Sequence, residues 1–404
     1  MRDGFFLPTE LSVVQAPRSR VPKCGLCKLH AGCKSPKTAI MGRGKRGILV
    51  VADDSNQPAT LPNTDLGLVS TFRKFGVELW EDCWLTNSLI CRNLNPGVRV
   101  PGEAIQWCRA NLLNTVGELK PSSVILIGDM AVSSLIGHLW DEDCGSILQW
   151  AGYQIPSVEL NAWVCPLFHL AGMAKEQNPV MDSLFLKHVE SALKLEGRPY
   201  EQVPDFKSRV ECILSPRQAA ARIRSISSHT VAFDYETTTL KPDGPHAEIV
   251  SCSVSDGKIS IAYPWHGPAV EATKELLVNP AVKKIACNSK FESRWTRAKL
   301  GVEVKGWVEG QGCTMLTSHA LENATKTRHV TSIKFQAFVH LGVPLWNRRV
   351  EPYLRTSKKE SKNAPNRIKE VDLPTLLEYN ALDSLYEYLV AKKQNRILRC
   401  RDGG

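Results

Sequence analysis

Three acidic residues and one tyrosine in the second half of the chain have the types and spacing for metal-dependent chemistry. Asp234 and Glu236 are two residues apart in an apolar segment, so on a β-strand both side chains lie on one face. Tyr379 and Asp383 are four residues apart in a strongly helical segment and share a helix face. Carboxylates grouped in this way repel each other unless a cation lies between them. The alternative, two acids on the solvent-facing side of an edge strand, would predict more polar neighbours than the three residues before Asp234.

A third acidic segment lies between these two pairs. The residues from Asn288 to Glu292, Asn-Ser-Lys-Phe-Glu, are expected at a strand-to-helix junction. A strand with Asp-x-Glu, then this junction, then a late helix with Tyr-x-x-x-Asp resembles the DEDDy class of 3′-5′ exonucleases, which includes the proofreading domains of family A DNA polymerases. The resemblance covers residues 205–398.

The resemblance implies a role for each residue. Asp234, Glu236 and Asp383 would hold one divalent metal ion, Asp234 would share a second ion with solvent, and Tyr379 would orient the attacking water. Two hard cations on oxygen ligands can activate that water and stabilise the leaving 3′ oxygen of a phosphodiester, and magnesium or manganese suits such ligands better than zinc. Glu292 replaces the usual Asp and is one methylene longer, so we expect slower or manganese-favouring catalysis.

Basic and aromatic residues near these motifs are candidates for contacts to DNA. Residues 343–370 hold eight basic and three acidic side chains, together with Trp346 and Tyr353. Such a segment is expected to be either a solvated loop or a mobile arm that lies along a phosphate backbone. The expected DNA-binding residues are Asn288, Phe291, Arg348, Arg349, Lys358 and Lys359.

Cysteines in the first half have spacings typical of metal ligands. Cys24 and Cys27 form a Cys-x-x-Cys knuckle that can hold two corners of a tetrahedral site, and Cys91 and Cys108 follow later in the chain. A compact alternative is one zinc ion on the four residues Cys24, Cys27, His30 and Cys33.

The surroundings of these cysteines resemble a known family. The segments concerned are residues 24–36, Leu-Thr-Asn-Ser at 85–88, Cys-Arg-Asn-Leu-Asn-Pro at 91–96 and Trp-Cys-Arg at 107–109. Together they are similar to iron-sulfur uracil-DNA glycosylases, in particular the glycosylase-like domains at the front of some phage DNA polymerases. The resemblance runs from residue 20 to 195. It implies a 4Fe-4S cluster on Cys24, Cys27, Cys91 and Cys108, with Cys33 as a rival ligand.

The same resemblance suggests a remnant uracil pocket. Asp53 lies in the loop that carries the water-positioning acid of the family, Asn87 matches the uracil-reading asparagine, and His169 matches the start of the histidine loop. Residues 52–56, Ala-Asp-Asp-Ser-Asn, lack the glycines of the family and an aromatic residue to stack on the base. Because glycine lets the backbone approach a flipped base closely, we expect a domain that binds DNA but has lost base excision.

Composition favours a globular protein with a polyanionic partner. The chain of 404 residues has 51 Lys and Arg against 41 Asp and Glu, a net charge of +10, and 43% hydrophobic residues. Thirteen cysteines, an odd number, without an export signal favour reduced thiols or metal ligation over disulfides. Without a membrane-length apolar run, we expect a soluble protein in the cytoplasm of a bacterial host cell.

Hydrophobic patterning predicts two α/β domains. Buried strands at residues 47–53, 83–90, 123–128 and 163–169 alternate with helical segments, which predicts a uracil-DNA glycosylase-like domain with a mainly parallel sheet. The second half predicts a ribonuclease H-like exonuclease domain with a mixed sheet, including a strand at 230–237 and a hairpin around Asp256-Gly257. The expected divisions are an N-terminal arm at 1–19, the first domain at 20–198, a linker at 199–214 and the exonuclease domain at 215–404.

Three functions follow from these patterns. The first is a 3′-5′ DNA exonuclease that acts on single-stranded or frayed 3′ ends. Related phage chains continue into a polymerase domain, whereas this one stops at Gly404. The protein is therefore expected to serve a separately encoded DNA polymerase as a proofreading subunit. The second is a bifunctional repair enzyme that also excises uracil. The third is a non-catalytic DNA-binding replisome adaptor, which is distinguished by whether Glu292 still supports metal binding.

Overall fold

The structure is a computed structural model that describes residues 21–53, 67–95, 97–140, 144–169, 178–200, 205–321, 330–355 and 363–402. The chain divides into two compact units, Met1–Pro199 and Tyr200–Gly404. The expected N-terminal arm at 1–19 lies outside the described residues. No helix within the described ranges is both long enough and apolar enough to span a bilayer.

The first unit alternates strands with helices. Its strands are β1 (Cys33–Ser35), β2 (Ile48–Ala52), β3 (Cys83–Asn87), β4 (Arg92–Leu94), β5 (Ser123–Ile127), β6 (Ile155–Ser157) and β7 (Ala162–Leu167). Its helices are α1 (Cys24–Cys27), α2 (Leu68–Lys74), α3 (Leu79–Asp82), α4 (Ala104–Leu119), α5 (Asp129–Leu139) and α6 (Pro179–Leu193).

The main sheet of the first unit is mostly parallel. Its strand order is β3-β2-β5-β7-β6, in which β6 alone of these five runs antiparallel to its neighbour. Strands β2 and β5 are almost completely buried, as continuous apolar runs predict for strands covered on both faces. The expected α/β class with a mainly parallel sheet is confirmed. A separate antiparallel pair joins β1 to β4.

The second unit has a different order of elements. Its strands are β8 (Val210–Cys212), β9 (Thr230–Thr237), β10 (Ile249–Ser255), β11 (Ser260–Pro264) and β12 (Lys283–Ile285). Its helices are α7 (Pro216–Arg224), α8 (Pro268–Val278), α9 (Ser289–Leu300), α10 (Thr314–Leu321), α11 (Ile333–Leu341), α12 (Glu351–Leu354) and α13 (Leu373–Asp402).

The sheet of the second unit is mixed. Its order is β12-β9-β10-β11-β8, with β9, β10 and β11 antiparallel in sequence and β12 parallel to β9. This confirms the expected mixed sheet and the hairpin at Asp256-Gly257, where Gly257 has φ +79°. Ser215 caps α7 by accepting a hydrogen bond from the Gln218 N–H, as its position before Pro216 predicts.

The expected linker at 199–214 is wrong in its last part. Residues 210–212 form β8, which pairs in parallel with β11 at the edge of the second sheet. Glu211 on this strand also forms an ion pair with Arg222 on α7, with Oε2 2.9 Å from Nε. A strand of three residues has too little pattern to be recognised locally, and its hydrogen bonds come from a partner fifty residues away.

The two faces of β9 face different environments. Phe233 and Tyr235 point into a core that α7, α8 and α9 cover, with the buried Trp295 among its members. Ala232, Asp234 and Glu236 alternate with these two residues and lie on the other face of the strand. On that face, Ala232 packs against Ala391 of α13. The period of two therefore directs Asp234 and Glu236 toward the long C-terminal helix.

Candidate nuclease site and thiol pocket

Three carboxylates converge where β9 meets α13. Asp234, Glu236 and Asp383 each offer an oxygen, and these oxygens lie within 4.8 Å of one another. Glu236 and Asp383 are buried and Asp234 is half-buried. Strand β9 lies between β12 and β10, so the alternative of two acids on an edge strand is wrong. A set of hard carboxylate oxygens at this spacing fits a divalent cation such as Mg²⁺.

Hydrogen bonds from neighbouring elements hold the carboxylates in place. The Asn380 side-chain amide donates to Asp234 Oδ2 at 2.7 Å, and Asn380 Oδ1 accepts from the Ser251 hydroxyl of β10 at 3.0 Å. The indole N–H of Trp346 donates to Asp383 Oδ1 at 3.0 Å. Because Asp234 and Asp383 are each oriented by a partner from another segment, these two carboxylates are preorganised rather than held by mobile side chains.

Tyr379 lies beside the cluster and contacts a lysine. The Lys334 ammonium of α11 donates to the Tyr379 hydroxyl at 3.2 Å and lies over both the Tyr379 and Trp346 rings. The Tyr379 hydroxyl is also hydrogen-bonded with Asp383. The phenol is therefore fixed next to the carboxylates, at a position from which it can orient a small polar molecule bound there.

The electrostatics of the cluster follow from burial and mutual repulsion. Burial raises the pKa of Asp234, and the charge of Asp383 raises it further. Burial also raises the pKa of Glu236, followed by repulsion from Asp234, and burial raises that of Asp383. The ammonium of Lys334 opposes all three shifts. A divalent cation would favour the ionised forms much more strongly because its charge is larger and closer.

Glu292 reaches the same region from the junction between β12 and α9. It belongs to the first turn of α9 and is only 2% exposed. Its Oε2 atom has no hydrogen-bond partner among the described residues. Burial, followed by the charge of Asp234, raises the pKa of the Glu292 carboxyl. The longer side chain that replaces the usual Asp therefore still lies within electrostatic reach of Asp234.

Four functional candidates were not predicted from the sequence. Asn380 and Trp346 donate hydrogen bonds to two of the acids, and Lys334 donates to the Tyr379 hydroxyl beside them. Glu387 is buried one helical turn after Asp383. Its spacing was a usable signal, because residues 379, 383 and 387 repeat every four positions on one face of α13. The other three gave no local signal, since their contacts depend on how distant segments pack.

The expected DNA-binding residues lie in different environments. Asn288 precedes α9 as its N-cap residue, and the Phe291 ring packs at 6.0 Å from the ring of Trp295. Arg348 is half-buried and Arg349 is exposed. Lys358 and Lys359 lie outside the described residues.

The segment at 343–370 is not a solvated loop or free arm throughout. Val343, Val350 and Ile368 are each buried to 2% exposure or less. Trp346 packs against Tyr386 of α13 with ring centroids 4.5 Å apart and ring planes tilted by 58°. The many basic side chains of this segment led to the prediction of a surface location, whereas its apolar residues pack against α13 in the described part of the segment.

Four cysteines of the first unit line one pocket. Cys24 and Cys27 come from α1, Cys91 follows β3, and Cys108 comes from α4. Apolar side chains surround them, including the buried Leu29, Leu89 and Ala104. The Asn111 amide donates to Cys108 Sγ at 3.5 Å, and backbone groups of Lys37 and Ile90 hydrogen-bond Cys91 and Cys108. Four thiols with N–H donors in an apolar pocket form a donor set that fits an iron-sulfur cluster.

The compact zinc alternative is assembled only in part, since Cys24, Cys27 and His30 line the same pocket. No three ligand atoms of either the compact set or the four-thiol set, all of them described residues, lie within 4.8 Å of one another. Cys33 instead points its thiol at the backbone oxygen of His30, 3.7 Å away, and does not line the pocket. It does form a side-chain hydrogen bond with Cys91. Cys24 lines the pocket and Cys33 lies beside one of its thiols, so both remain candidates for the four-thiol set.

Asp53, Asn87 and His169 meet at the carboxyl ends of the parallel strands. Asn87 ends β3 and is buried, and Asp53 follows β2. Asp53 Oδ1 accepts the Ala131 backbone N–H at 2.8 Å, so this carboxylate lies at the N-terminus of α5. Burial raises the pKa of Asp53 to about 6, although the Ala131 N–H and the charge of His169 lower it. The altered loop at 54–56 lies outside the described residues.

Comparison with known proteins finds a relative that matches part of the chain. The type-4 uracil-DNA glycosylase of Pyrobaculum aerophilum is 29% identical over 126 residues, which are 29% of this chain. The match spans 61% of the length of that glycosylase. No family model matches the chain.

Solved structures similar to this chain include several nucleases. Brucella melitensis NrnC with bound Mg²⁺ has a TM-score of 0.34 at 18% identity, with 48% of this chain and 81% of that chain covered. Trypanosoma brucei RNase D in complex with GMP has a TM-score of 0.37 at 12% identity, covering 46% and 57%. Escherichia coli RNase D has a TM-score of 0.32 at 13% identity, covering 46% and 44%. The chain is thus similar over part of its length to a uracil-DNA glycosylase, and its second unit carries three carboxylates that converge within 4.8 Å.

Proposed function

We propose that the protein is a metal-dependent 3′-5′ DNA exonuclease. The observation that carries this proposal is the convergence of Asp234, Glu236 and Asp383 within 4.8 Å, with Tyr379 fixed beside them. Bound Mg²⁺ or Mn²⁺ would activate the attacking water and stabilise the leaving 3′ oxygen of the phosphodiester. Asp234, Glu236 and Asp383 would hold the first ion, and Asp234 would also contribute to a second.

The residues around the acids have distinct tasks in this proposal. Asn380 and Trp346 keep Asp234 and Asp383 in orientation. Tyr379 positions the attacking water, and Lys334 keeps the Tyr379 hydroxyl in place. We propose that Asn288 and Phe291 at the start of α9, with the basic residues Arg348, Arg349, Lys358 and Lys359, contact the strand that enters the site. The net charge of +10 favours such a polyanionic substrate.

Single-stranded and frayed 3′ ends are the proposed substrates. A site that holds one terminal nucleotide against the acids requires that nucleotide to be unpaired, and unpairing costs least at a mismatched end. The proposed biological role is therefore proofreading for a DNA polymerase.

Digestion of 3′-labelled strands tests this function. With Mg²⁺ or Mn²⁺, we expect labelled mononucleotides from single-stranded DNA, slower release from blunt duplex, and none after chelation with EDTA. A parallel RNA strand tests the preference for DNA, since faster release from RNA would identify a ribonuclease. If no strand is digested with either ion, the non-catalytic adaptor is the better description.

Substitution of Tyr379 by phenylalanine should weaken the nuclease without abolishing it. The change removes only the hydroxyl that positions the water, so kcat should fall about 10- to 100-fold. Single-turnover digestion with saturating enzyme measures this rate. Tyr388→Phe on the same helix is a matched control, because Tyr388 packs toward Gly257 rather than the acids, and it should retain the wild-type rate. A Tyr379→Phe rate equal to wild type would contradict the role of the hydroxyl.

In the first unit, we propose a 4Fe-4S cluster on Cys24, Cys27, Cys91 and Cys108. The support is that their thiols line one apolar pocket with N–H donors directed at Cys91 and Cys108. Within the fold, these thiols would tie α1 and α4 to the segment after β3. We propose that the unit uses this fold to bind DNA.

We also propose that uracil excision has been lost. Asp53 is held at the N-terminus of α5 by the Ala131 N–H, so its carboxylate is engaged by a structural hydrogen bond. The neighbouring sequence, Asp54-Ser-Asn56, places β-carbons where glycine would let the backbone close around a base.

The expected result with uracil-containing DNA is binding without excision. Affinity should exceed that for thymine-containing DNA by no more than a few-fold and should fall steeply with salt, as phosphate contacts predict. Alkali treatment after incubation should produce no cleavage at uracil. Alkali-labile sites that disappear with Asp53→Ala or His169→Ala would instead support the bifunctional repair enzyme.

A further inference from the structure

Lys334 lies at a helix position that is unfavourable for a cation. Ser332 caps α11 by accepting a hydrogen bond from the Phe335 N–H at 3.2 Å, so Lys334 belongs to the first turn as its second residue. That turn, which the structure describes in full, contains no acidic residue. The positive end of a helix dipole favours acidic side chains and disfavours basic ones. An interaction from outside α11 must therefore compensate for the ammonium at this place.

The acid cluster supplies this interaction through its aromatic neighbours. The Lys334 ammonium donates to the Tyr379 hydroxyl at 3.2 Å, and this hydroxyl is hydrogen-bonded with Asp383. The ammonium also lies over the rings of Trp346 and Tyr379, 5.6 and 5.4 Å from their centroids. Trp346 in turn donates to Asp383 Oδ1 at 3.0 Å. The two rings therefore hold the ammonium next to the partners of Asp383.

The charges of the cluster need such a cation when no metal is bound. Oxygens of Asp234, Glu236 and Asp383 lie within 4.8 Å of one another, and carboxylates with so little solvent around them are stable as anions only when they are paired. Among the described groups with the largest influence on the pKa values of these acids, Lys334 alone is cationic, and it lowers all three. Burial alone would lower the pKa of Lys334, but the three acids raise it above its usual value.

We infer that Lys334 is a resident counter-ion of the Asp234–Glu236–Asp383 group, which competes with the divalent cation and lowers the affinity of the free protein for it. This inference rests on the proposed function and deepens it, because it names what regulates the occupancy of the metal site. The ammonium stabilises the acids while the site is free of metal. Once a divalent cation lies among the acids, the same positive charge repels it.

The competing explanation is that Lys334 only holds the Tyr379 hydroxyl in place. Two variants separate the explanations. Lys334→Met removes the hydrogen bond and the positive charge, whereas Tyr379→Phe removes the same hydrogen bond and leaves the charge. A role confined to the hydroxyl predicts the same metal affinity for both variants, and a counter-ion predicts different affinities.

Manganese titration of the full-length protein tests the inference. Electron paramagnetic resonance of free Mn²⁺ should show that Lys334→Met binds the ion at least about 10-fold more tightly than the wild type, because a nearby like charge has been removed. Tyr379→Phe should stay close to the wild-type affinity. Lys299→Met is the matched control, because Lys299 is an exposed lysine of α9 that lies 5.6 Å from the Trp295 ring centroid. It should leave the affinity unchanged.

Thermal denaturation provides a second measurement that does not depend on activity. Lys334→Met should unfold at a lower temperature than the wild type in EDTA, and the difference should shrink or vanish in saturating Mg²⁺, since tighter binding of the cation offsets the lost charge. If Lys334→Met does not fold in EDTA, folding on addition of Mg²⁺ supports the counter-ion. Failure to fold at any Mg²⁺ concentration would overturn it in favour of a structural role.

The outcomes for the counter-ion and for the nuclease are distinguishable. Unchanged or weaker Mn²⁺ binding by Lys334→Met, or an equal loss of stability with and without Mg²⁺, would overturn the counter-ion even if the wild type is an active metal-dependent nuclease. Conversely, a wild type that digests no DNA, while Lys334→Met tightens Mn²⁺ binding, would refute the nuclease and keep the counter-ion. No Mn²⁺ binding by either protein would overturn both.

Discussion

Replacement of Asp234 by asparagine should lower the rate of 3′-end digestion by about 1,000-fold or more. Asp234 belongs to the converging trio, and in the proposed site it is a ligand of both cations. Loss of about 4 kcal/mol of transition-state stabilisation corresponds to that factor. The change is nearly isosteric, so the fold should be retained. Asp383→Asn should have a similar effect.

Asp243→Asn is the matched control for this experiment. Asp243 is an exposed residue of the same unit, paired with Arg294 at 2.9 Å, and its replacement should leave the rate unchanged. Single-turnover rates in Mg²⁺ and in Mn²⁺ measure both variants. If Asp234→Asn digests DNA at the wild-type rate, the acid cluster does not take part in the reaction.

Loss of Cys91 or Cys108 should remove iron and destabilise the first unit. The purified wild type is expected to be brown, with the broad absorbance at about 400 nm that iron-sulfur clusters show. Cys91→Ala or Cys108→Ala should remove this absorbance. Because cluster binding is coupled to folding, the thermal transition of this unit should also fall. Iron analysis and absorbance of freshly purified protein measure the change.

Cys165→Ala separates cluster ligation from a general effect of losing a thiol. Cys165 is buried in β7, outside the four-thiol pocket, so this variant should keep its iron. One zinc ion and no iron in the wild type would contradict the cluster and favour the compact site. If iron is retained in Cys24→Ala but lost in Cys33→Ala, the cluster ligand is Cys33 and not Cys24.

Local patterns were sufficient to predict the elements that carry the motif acids. The apolar alternation around Asp234 predicted β9 at residues 230–237, and the structure has this strand at the same residues. The four-residue spacing of Tyr379 and Asp383 predicted one helix face. These signals are strong because a buried strand and a long helix impose a regular period on their own residues.

Features that depend on distant pairing were not predictable in the same way. Strand β8 was assigned to a linker, since its partner β11 lies far along the chain. Trp346 was assigned to a basic loop, yet it packs against Tyr386 and donates a hydrogen bond to Asp383. In both cases the structure depends on a contact between segments that are distant in the sequence. The few residues that make this contact have charged or irregular neighbours, so the local sequence shows no pattern that predicts it.

The most direct test of the nuclease assignment is the direction and metal dependence of digestion on one strand. A 5′-labelled single-stranded DNA should yield a ladder that shortens from its 3′ end in Mg²⁺ or Mn²⁺, with no ladder in EDTA or with Asp234→Asn. A 3′-terminal phosphorothioate linkage should slow the first step. A ladder that persists in EDTA, or an equal ladder from Asp234→Asn, would contradict hydrolysis at the acid cluster.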